Sequence, residues 1–186
     1  MKVLDTPLPE VKLVEPDTFG DDRGFFQETW NQARYTDLGI AASFRQSNLS
    51  VSRRGVLRGL HFQQPRPQGK LVYVLSGVVF DVAVDIRVGS PRFGRWWGTE
   101  LSGDNHRQLW VPEGFAHGFC VLSERAVFAY LCTTEYDRQA DRALRFDDAE
   151  IGVEWPARDP ELSAKDAAAP LLAELRERDL LPRYEP

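Results

Sequence analysis

The chain has 186 residues, of which 42% are hydrophobic and 27% are charged, and its formal net charge is −5. This composition is typical of a globular protein, and the length fits one domain over residues 1–186. The acidic balance argues against nonspecific binding of nucleic acid, and no apolar run reaches membrane-spanning length. No basic-then-apolar leader opens the chain, so a cytoplasmic protein is the expectation.

Most of the chain has the pattern of short β-strands separated by turns, and the predicted fold class is all-β. A turn is predicted at 21–24, and a short helix at 31–38 ends at Gly39. The segment 164–181 is predicted to be a second helix, with Pro170 near its start, that covers the sheets. The predicted strands are 11–19, 25–29, 44–50, 56–63, 70–76, 78–87, 96–101, 108–111, 118–122 and 127–133.

Residues 70–76 and 78–87 are predicted to form a hairpin around Gly77. Its second arm alternates between a purely apolar face and a face that carries Asp81 and Asp85. A barrel with a packed exterior and a polar cavity would produce this pattern. A strand with one solvated face would produce it too, and both interpretations stay open.

The segment around His61 carries the strongest local motif. Five residues separate Gly55 from His61, and six separate Lys70 from Gly77. These spacings resemble the motif of the cupin β-barrel family, in which a His-x-His pair and a Glu bind a metal. Here Gln63 replaces the second histidine and Lys70 replaces the glutamate, and an ammonium beside a divalent cation would be strongly repelled. The resemblance implies a cupin jelly-roll β-barrel with short flanking helices, whose site works with no metal and no cofactor.

Histidine is the natural base near neutral pH. His61 lies between apolar neighbours on a predicted strand, so it is either a buried core histidine or a base that faces a cavity. His117 follows Pro-x-Gly-x-x, where cupins place a metal ligand, and it is expected to donate a hydrogen bond to a ligand oxygen. Tyr130 is either a core tyrosine or a general acid opposite the base.

A histidine that acts as a base usually has a carboxylate on its second ring nitrogen. Asp81, Asp85 and Asp166 are the candidates in this chain. Asp166 lies at a predicted helix start, where a carboxylate also has a purely structural use beside the helix dipole. Spacing along the chain does not choose between these candidates.

An ordered series of motifs over nearly the whole chain resembles the RmlC family, the dTDP-4-dehydrorhamnose 3,5-epimerases, which act on dTDP-4-keto-6-deoxyglucose. The matching motifs include Asp22-Arg23-Gly24-x-Phe26-x-Glu28, Phe44-x-Gln46-x-Asn48-x-Ser50, Gly55-Val56-Leu57-Arg58-Gly59-Leu60-His61-x-Gln63, Gln68-x-Lys70, Tyr130-x-Cys132 and Leu162-Ser163-x-Lys165-Asp166. The resemblance implies a metal-free jelly roll that inverts C3 and C5 of the sugar. It also implies a homodimer with shared N-terminal strands.

By this resemblance, His61 is the base that removes protons next to the ketone, and Asp166 orients it. Tyr130 is the acid that returns a proton from the opposite face, and Lys70 is the cation beside the C4 oxygen. Arg23 and Glu28 are expected to reach into the partner's site. The implied substrate-binding residues are Arg23, Phe26, Glu28, Gln46, Asn48, Arg58, His117 and Tyr136.

Three alternatives remain. The first is a C3-only or C5-only epimerase of an antibiotic deoxysugar pathway. It stays open because segment 133–140 departs from the Asn-Pro turn common in double epimerases, and because single-centre enzymes keep the same catalytic residues. A cupin that binds a sugar nucleotide without turnover is the second. A metal-dependent cupin oxygenase or isomerase is the third, and Gln63 and Lys70 argue against it.

Overall fold

The computed structural model describes residues 1–185, which form two facing β-sheets, a separate hairpin and short helices. The strands are β1 (Lys2–Leu4), β2 (Lys12–Glu15), β3 (Thr18–Asp21), β4 (Gly24–Gln27), β5 (Gln46–Arg53), β6 (Leu57–Gln63), β7 (Lys70–Ser76), β8 (Val78–Asp85), β9 (Trp96–Ser102), β10 (Gln108–Val111), β11 (Phe115–Val121), β12 (Arg125–Cys132) and β13 (Asp141–Ala143). The helices are α1 (Gln32–Asp37), α2 (Ala164–Ala167) and α3 (Leu172–Glu177). Over residues 1–185, no helix is long and apolar enough to cross a membrane.

Both sheets are antiparallel, and strands that follow one another in the chain often lie in different sheets. The six-stranded sheet has the order β1-β2-β10-β7-β12-β5, and the five-stranded sheet has the order β13-β6-β11-β8-β9. This is the jelly-roll arrangement of the cupin fold, so the predicted all-β class is confirmed. The predicted hairpin is wrong, because β7 and β8 belong to different sheets. Gly77 makes the crossing with a φ of 85°, and a Cβ there would lie 2.2 Å from the Arg125 carbonyl oxygen.

The main apolar core lies between the two sheets. The six-stranded sheet contributes side chains such as Val72 and Phe128, and the five-stranded sheet contributes Ala83 and Phe119. A second core lies on the outer side of the five-stranded sheet, where the C-terminal helices pack. A third core buries Tyr35 of α1 against the outer side of the six-stranded sheet. Helices α3 and α1 therefore each cover one outer face of the jelly roll, as expected for layered packing.

The alternation in β8 follows from burial of both its faces. Val82 and Val84 pack with Leu172 in the outer core under α3. On the opposite face, Asp81 and Asp85 point inward and are both 0% exposed. The strand with a solvated face is therefore wrong. The exterior is packed, as the other interpretation expected, and the two carboxylates are buried inside the barrel.

Two predicted elements are divided at prolines. The strand predicted at 11–19 is interrupted after Glu15 by Pro16, and β2 and β3 then belong to different sheets. The helix predicted at 164–181 is split into α2 and α3, with Pro170 between them, because proline donates no N–H inside a helix. The strand predicted at 118–122 begins three residues earlier, at Phe115. The three-residue strands β1 and β13 carried too short a pattern to be predicted.

Strands β3 and β4 form a hairpin outside both sheets. Its three phenylalanines, Phe19, Phe25 and Phe26, are 61–69% exposed. The hairpin is attached by a hydrogen bond from Gln27 Nε2 to the His106 carbonyl at 3.1 Å and by ring contact between Phe25 and His106 at 4.5 Å. So much exposed aromatic surface on one hairpin is unusual for a surface that stays in water.

A close approach of β6 and β11 requires two glycines. A Cβ on Gly118 would lie 2.8 Å from the Arg58 carbonyl oxygen, and one on Gly59 would lie 2.6 Å from Gly118 Cα.

We expect Gly118→Ala to lower the free energy of unfolding by about 1–3 kcal/mol, because the backbone must move to admit the methyl group. Urea unfolding measures this. Gly20→Ala, whose new methyl would lie 3.6 Å from its nearest neighbour, is the control, and equal losses in both variants would contradict the prediction.

Candidate active site

A cavity of about 390 Å³ opens between the two sheets. Strands β5, β7 and β12 line it from the six-stranded sheet, and β6 lines it from the five-stranded sheet. The lining residues are Gln46, Asn48, His61, Phe62, Gln63, Gln68, Lys70, Tyr130, Tyr136, Asp141 and Lys165. The set brings together six of the predicted catalytic and substrate-binding residues, including His61, Lys70 and Tyr130.

Strand register explains how the six-stranded sheet presents one polar row. Tyr130 on β12 lies opposite Asn48 on β5, and Cys132 lies opposite both Gln46 on β5 and Lys70 on β7. Side chains two residues apart point to the same side of a strand. Because all of these positions share that alternation, their side chains project together into the space between the sheets.

His61 is paired with Asp166. The two atoms His61 Nε2 and Asp166 Oδ1 are 2.5 Å apart, and the Asp166 side chain is 3% exposed. Asp166 is held at the start of α2, where its backbone N–H donates to Ser163 Oγ at 3.1 Å. Asp166 therefore lies in the first turn of α2 and contacts His61 with its carboxylate. Of the three candidate carboxylates, it is the one that is paired with His61.

The pKa of Asp166 lies below its ordinary value. Burial alone raises this pKa, but the hydrogen bond and charge of His61, the Ser163 hydroxyl and the Lys165 ammonium together lower it. Asp166 is therefore a carboxylate that accepts the Nε2–H of His61. That arrangement leaves Nδ1 of the same ring with a free lone pair for a ligand proton.

Lys70 and Tyr130 are both shifted by burial. Burial lowers the pKa of Lys70, while the nearby Cys132, Asp141 and Asp81 oppose that change. Burial raises the pKa of Tyr130, against a smaller opposite effect of the Arg58 charge. A phenol with a raised pKa stays protonated and can donate its proton. An ammonium in a poorly solvated site interacts more strongly with a developing negative charge.

The other two candidate carboxylates have different partners. Asp81 accepts from His117 Nε2 at 2.9 and 3.1 Å, and burial raises the pKa of Asp81 against the opposing effect of His117. Asp85 binds Arg87 and Ser90. His117 is buried and does not line the cavity, so the expected hydrogen bond from His117 to a ligand oxygen has no counterpart here.

Three further site residues lie outside this cavity, on or beside the exposed hairpin. The Arg23 side chain is 89% exposed and pairs with Asp21. Phe26 is 69% exposed, and Glu28 pairs with Arg34 at 3.3 Å. The structure therefore does not bring these residues into the cavity of their own chain.

Tyr136 lines the cavity, and Arg58 lies near Tyr130 without lining the cavity. Arg58 is exposed, donates to Ser52 Oγ at 3.0 Å, and is near enough for its charge to lower the pKa of Tyr130. Tyr136 is 58% exposed and lines the cavity. Both positions suit contacts with a part of the ligand that extends toward solvent.

The sequence interpretation missed two charged residues of the cavity wall. Asp141 Oδ2 accepts from Lys165 Nζ at 2.5 Å and from the Tyr136 hydroxyl at 3.1 Å. Lys165 adjoins Asp166 in a motif that the sequence already showed, and that proximity was a usable signal. Asp141 lies in a three-residue strand with no motif of its own, so nothing local indicated it.

The replaced cupin positions carry no metal-binding side chains. Gln63 hydrogen-bonds to three main-chain groups, and Lys70 presents an ammonium to the cavity. In the part of the chain that the structure describes, no group of three or more His, Cys, Asp or Glu side chains is arranged to hold a metal ion. The groups that the cavity does offer are suited to proton transfer.

The fold and the cavity together define a cupin-type jelly roll with a histidine–aspartate pair, a phenol and an ammonium in one site. A family model described as dTDP-4-dehydrorhamnose 3,5-epimerase matches residues 5–174. The chain belongs to that family, which confirms the resemblance of its motifs.

Relatives and solved structures support this assignment. The chain is 54% identical over 175 residues to dTDP-4-dehydrorhamnose 3,5-epimerase of Salmonella typhimurium, covering 92% of this chain and 96% of the relative. It is 51% identical to dTDP-6-deoxy-D-glucose-3,5-epimerase RmlC from Legionella pneumophila in complex with dTDP-4-keto-L-rhamnose, with a TM-score of 0.96 and coverage of 100% and 99%. It is 30% identical to ChmJ, a 3'-monoepimerase from Streptomyces bikiniensis in complex with dTDP-quinovose, with a TM-score of 0.91 and coverage of 97% and 92%.

Proposed function

We propose that this protein is a carbohydrate epimerase that inverts C3 and C5 of dTDP-4-keto-6-deoxy-D-glucose by proton transfer next to the C4 ketone. The observation that carries the proposal is that one cavity combines the His61–Asp166 pair with Tyr130 and Lys70. The relatives that share about half of its residues are named 3,5-epimerases, whereas the 3'-monoepimerase shares 30%. Double inversion is therefore favoured over the single-centre alternative.

Proton removal is assigned to His61. A C–H bond next to a ketone is weakly acidic, because its electron pair can move onto the carbonyl oxygen as an enolate. His61 Nδ1 takes this proton while Nε2–H stays bonded to the Asp166 carboxylate, which stabilises the imidazolium that forms.

Stabilisation of the enolate is assigned to Lys70. Its ammonium would donate to the C4 oxygen, where negative charge grows as the proton leaves. Because Lys70 lies deep between the sheets, this interaction is screened less than it would be in water. The same oxygen serves both reacting carbons, since C3 and C5 flank C4.

Proton return is assigned to Tyr130. Its strand lies in the sheet opposite that of His61, so the phenol approaches the sugar from the other side. Delivery of its proton to the opposite face of the enolate inverts the carbon. His61 has then gained one proton and Tyr130 has lost one, and exchange with water restores both, so no oxidant or reductant is consumed.

The experiment that tests this function is incubation with dTDP-4-keto-6-deoxyglucose in heavy water, followed by NMR. Deuterium at both C3 and C5 is the expected result. Deuterium at one carbon would support the single-centre alternative. Affinity without exchange would identify a sugar-nucleotide-binding protein and overturn the proposal.

The remaining substrate contacts are proposed from position. Gln46 and Asn48 line the cavity beside Tyr130 and suit the hydroxyl groups of the sugar. Arg58, exposed near Tyr130, suits the diphosphate, because a guanidinium binds phosphate oxygens in a planar, bidentate way. His117 supports the site from behind through Asp81.

Replacing Asp166 with asparagine is expected to lower kcat by about 10²–10⁴-fold, because an amide can stabilise the wrong tautomer of His61 and has no negative charge to stabilise the imidazolium.

The same variant tests how the ionisation of Asp166 makes the stability of the fold depend on pH. Since the folded-state pKa of Asp166 is lowered, its contribution to stability is present above its ordinary value of 3.8 and is lost as the pH falls through the lowered pKa. Urea unfolding of the wild type and of Asp166→Asn over this pH range measures the effect. If the free energies of unfolding of the two proteins changed in parallel with pH, the prediction would be contradicted.

We also propose that the protein is a homodimer in which the β3–β4 hairpin reaches the partner's site. Contact with a partner subunit would remove the exposed rings of Phe25 and Phe26 from water. Arg23 and Glu28 lie on or next to the same hairpin. Arg23 and Phe26 would then serve the diphosphate and the thymine of a neighbouring site. The cytoplasmic location expected from the sequence stays a prediction.

Light scattering is expected to give twice the 21.2 kDa chain mass. A Phe25→Ser/Phe26→Ser variant should shift toward the monomer, because burying each ring contributes about 1.5–3 kcal/mol. Leu171→Ser, a change of an exposed apolar residue away from the hairpin, is the control. A wild-type monomer, or a dimer that survives the double change as well as it survives the control, would argue against the shared hairpin.

A further inference from the structure

Three glutamine side chains hold one short segment at the edge of the cavity. This segment, residues 134–137, is called the mouth loop. Gln46 Oε1 accepts the Tyr136 N–H at 2.7 Å, and Gln68 Nε2 donates to the Thr134 carbonyl at 2.7 Å. Gln63 accepts the Asp137 N–H at 2.9 Å and donates to the Glu135 carbonyl at 3.4 Å. Each residue of the mouth loop is thus held by a main-chain hydrogen bond to a cavity glutamine.

Gln63 is the most constrained of these glutamines. It is 6% exposed and also donates to the Arg66 carbonyl at 3.3 Å, so one buried amide joins the 64–69 segment to the mouth loop. A buried amide with all of its groups bonded is costly to disturb, since the partners left behind lose their hydrogen bonds. Gln63 stands where the cupin motif has its second metal-binding histidine.

The mouth loop has little packing of its own. Glu135 and Tyr136 are both exposed, so glutamine hydrogen bonds, more than apolar contacts, determine the path of the loop. The loop brings the Tyr136 ring to the cavity, where its hydroxyl donates to Asp141 Oδ2 at 3.1 Å. A displacement of the loop would therefore move one wall of the cavity without touching His61, Lys70 or Tyr130.

We propose that Gln63 is a positioning residue that fixes the mouth loop and thereby determines how evenly the two carbons are inverted. The inference rests on the proposed function. A single base, His61, must act at C3 and at C5, and the second of these steps acts on a sugar that is already inverted at one carbon. The cavity must therefore accept two differently shaped sugars, which present their substituents in two different poses. The two poses press differently on the wall that carries Tyr136. A wall held in one place can accept both, whereas a loosened wall weakens one pose more than the other.

The test is Gln63→Met, which keeps the length and apolar volume of the side chain and removes its hydrogen bonds. We expect kcat/KM to fall about 10–100-fold, as small misplacements of substrate do, and the ratio of deuterium incorporation at the two carbons to change. Protection of the Asp137 amide from hydrogen exchange should fall about fivefold with its hydrogen bond. Gln63→Glu keeps the acceptor for the Asp137 N–H but places a buried carboxylate oxygen against the Arg66 and Glu135 carbonyls, so it should disturb the mouth loop at least as much as Gln63→Met.

Gln108→Met is the matched control. Gln108 is also buried, accepts from the Tyr35 hydroxyl at 2.6 Å and donates to the Thr29 carbonyl at 2.9 Å, but it lies outside the cavity. It should lose stability with an unchanged C3-to-C5 ratio. If the Gln63 variants fold and their C3-to-C5 ratio of deuterium incorporation is unchanged, the inference is overturned. An Asp137 amide that is unprotected from hydrogen exchange in the wild type would also overturn it, and that measurement does not depend on any variant folding. Absence of exchange in the wild type at either carbon would instead count against the proposed function.

Discussion

Replacing His61 with asparagine is expected to lower deuterium incorporation at C3 and C5 together, by about 10²–10⁴-fold. Asparagine keeps a polar group near Asp166 but has no basic nitrogen to take a proton from carbon. Both carbons should be affected equally, because one base is assigned to both. NMR in heavy water under single-turnover conditions measures the two rates separately.

His106→Asn is the matched control for this change. His106 lies in a turn outside the cavity, with a φ of 56° that asparagine tolerates. Its carbonyl, which accepts from Gln27, is kept in the variant, and its ring contact with Phe25 of the hairpin is the contact that changes. The control should keep both exchange rates. Loss of exchange at only one carbon in the His61 variant would show that a second base exists and would overturn the single-base assignment.

Replacing Lys70 with methionine is expected to lower kcat by about 10²–10³-fold and to leave the fold as stable as before, or more stable. The expected loss in rate follows from removing the cation to which stabilisation of the enolate is assigned. The gain in stability follows because burial lowers the pKa of Lys70, which means that the folded protein pays a desolvation cost for the charge. Steady-state kinetics and urea unfolding of the same preparations measure the two effects.

The pH dependence gives this prediction a sign. With a lowered folded-state pKa, Lys70 binds its proton more tightly in the unfolded chain, so wild-type stability rises with pH between the lowered pKa and the ordinary value of 10.5. Activity should fall over the same window, as the ammonium becomes a neutral amine. Lys70→Met should show neither trend. A wild-type rate that stays constant up to pH 10.5 would contradict the role of the charge.

The sequence was informative where function constrains several residues in one local motif. His61, Gln63 and Lys70 were recognisable because the glycines around them keep the cupin spacing. The alternation in β8 showed one apolar and one carboxylate-bearing face but not what covers either of them. In the structure α3 covers the apolar face, and the carboxylate face is buried between the two sheets. Burial by a distant segment has no local signature, so the alternation alone did not exclude a solvated face.

Spacing along the chain did not decide which carboxylate pairs with His61. Asp166 lies 105 residues from His61, and Asp81 and Asp85 were equally good local candidates. The choice depends on where the C-terminal segment docks, which is a property of the whole fold. The surroundings of His117 were undecided for a related reason, because its partner Asp81, which binds Nε2, lies on an adjacent strand.

The position of Asp166 has a consequence for biosynthesis. The two sheets are built from segments that precede α2, but the carboxylate that contacts His61 lies on α2 itself. A nascent polypeptide that has not yet been synthesised as far as α2 would contain the strands of both sheets and lack the partner of its imidazole. The His61–Asp166 pair therefore forms only after the strands of both sheets have been made.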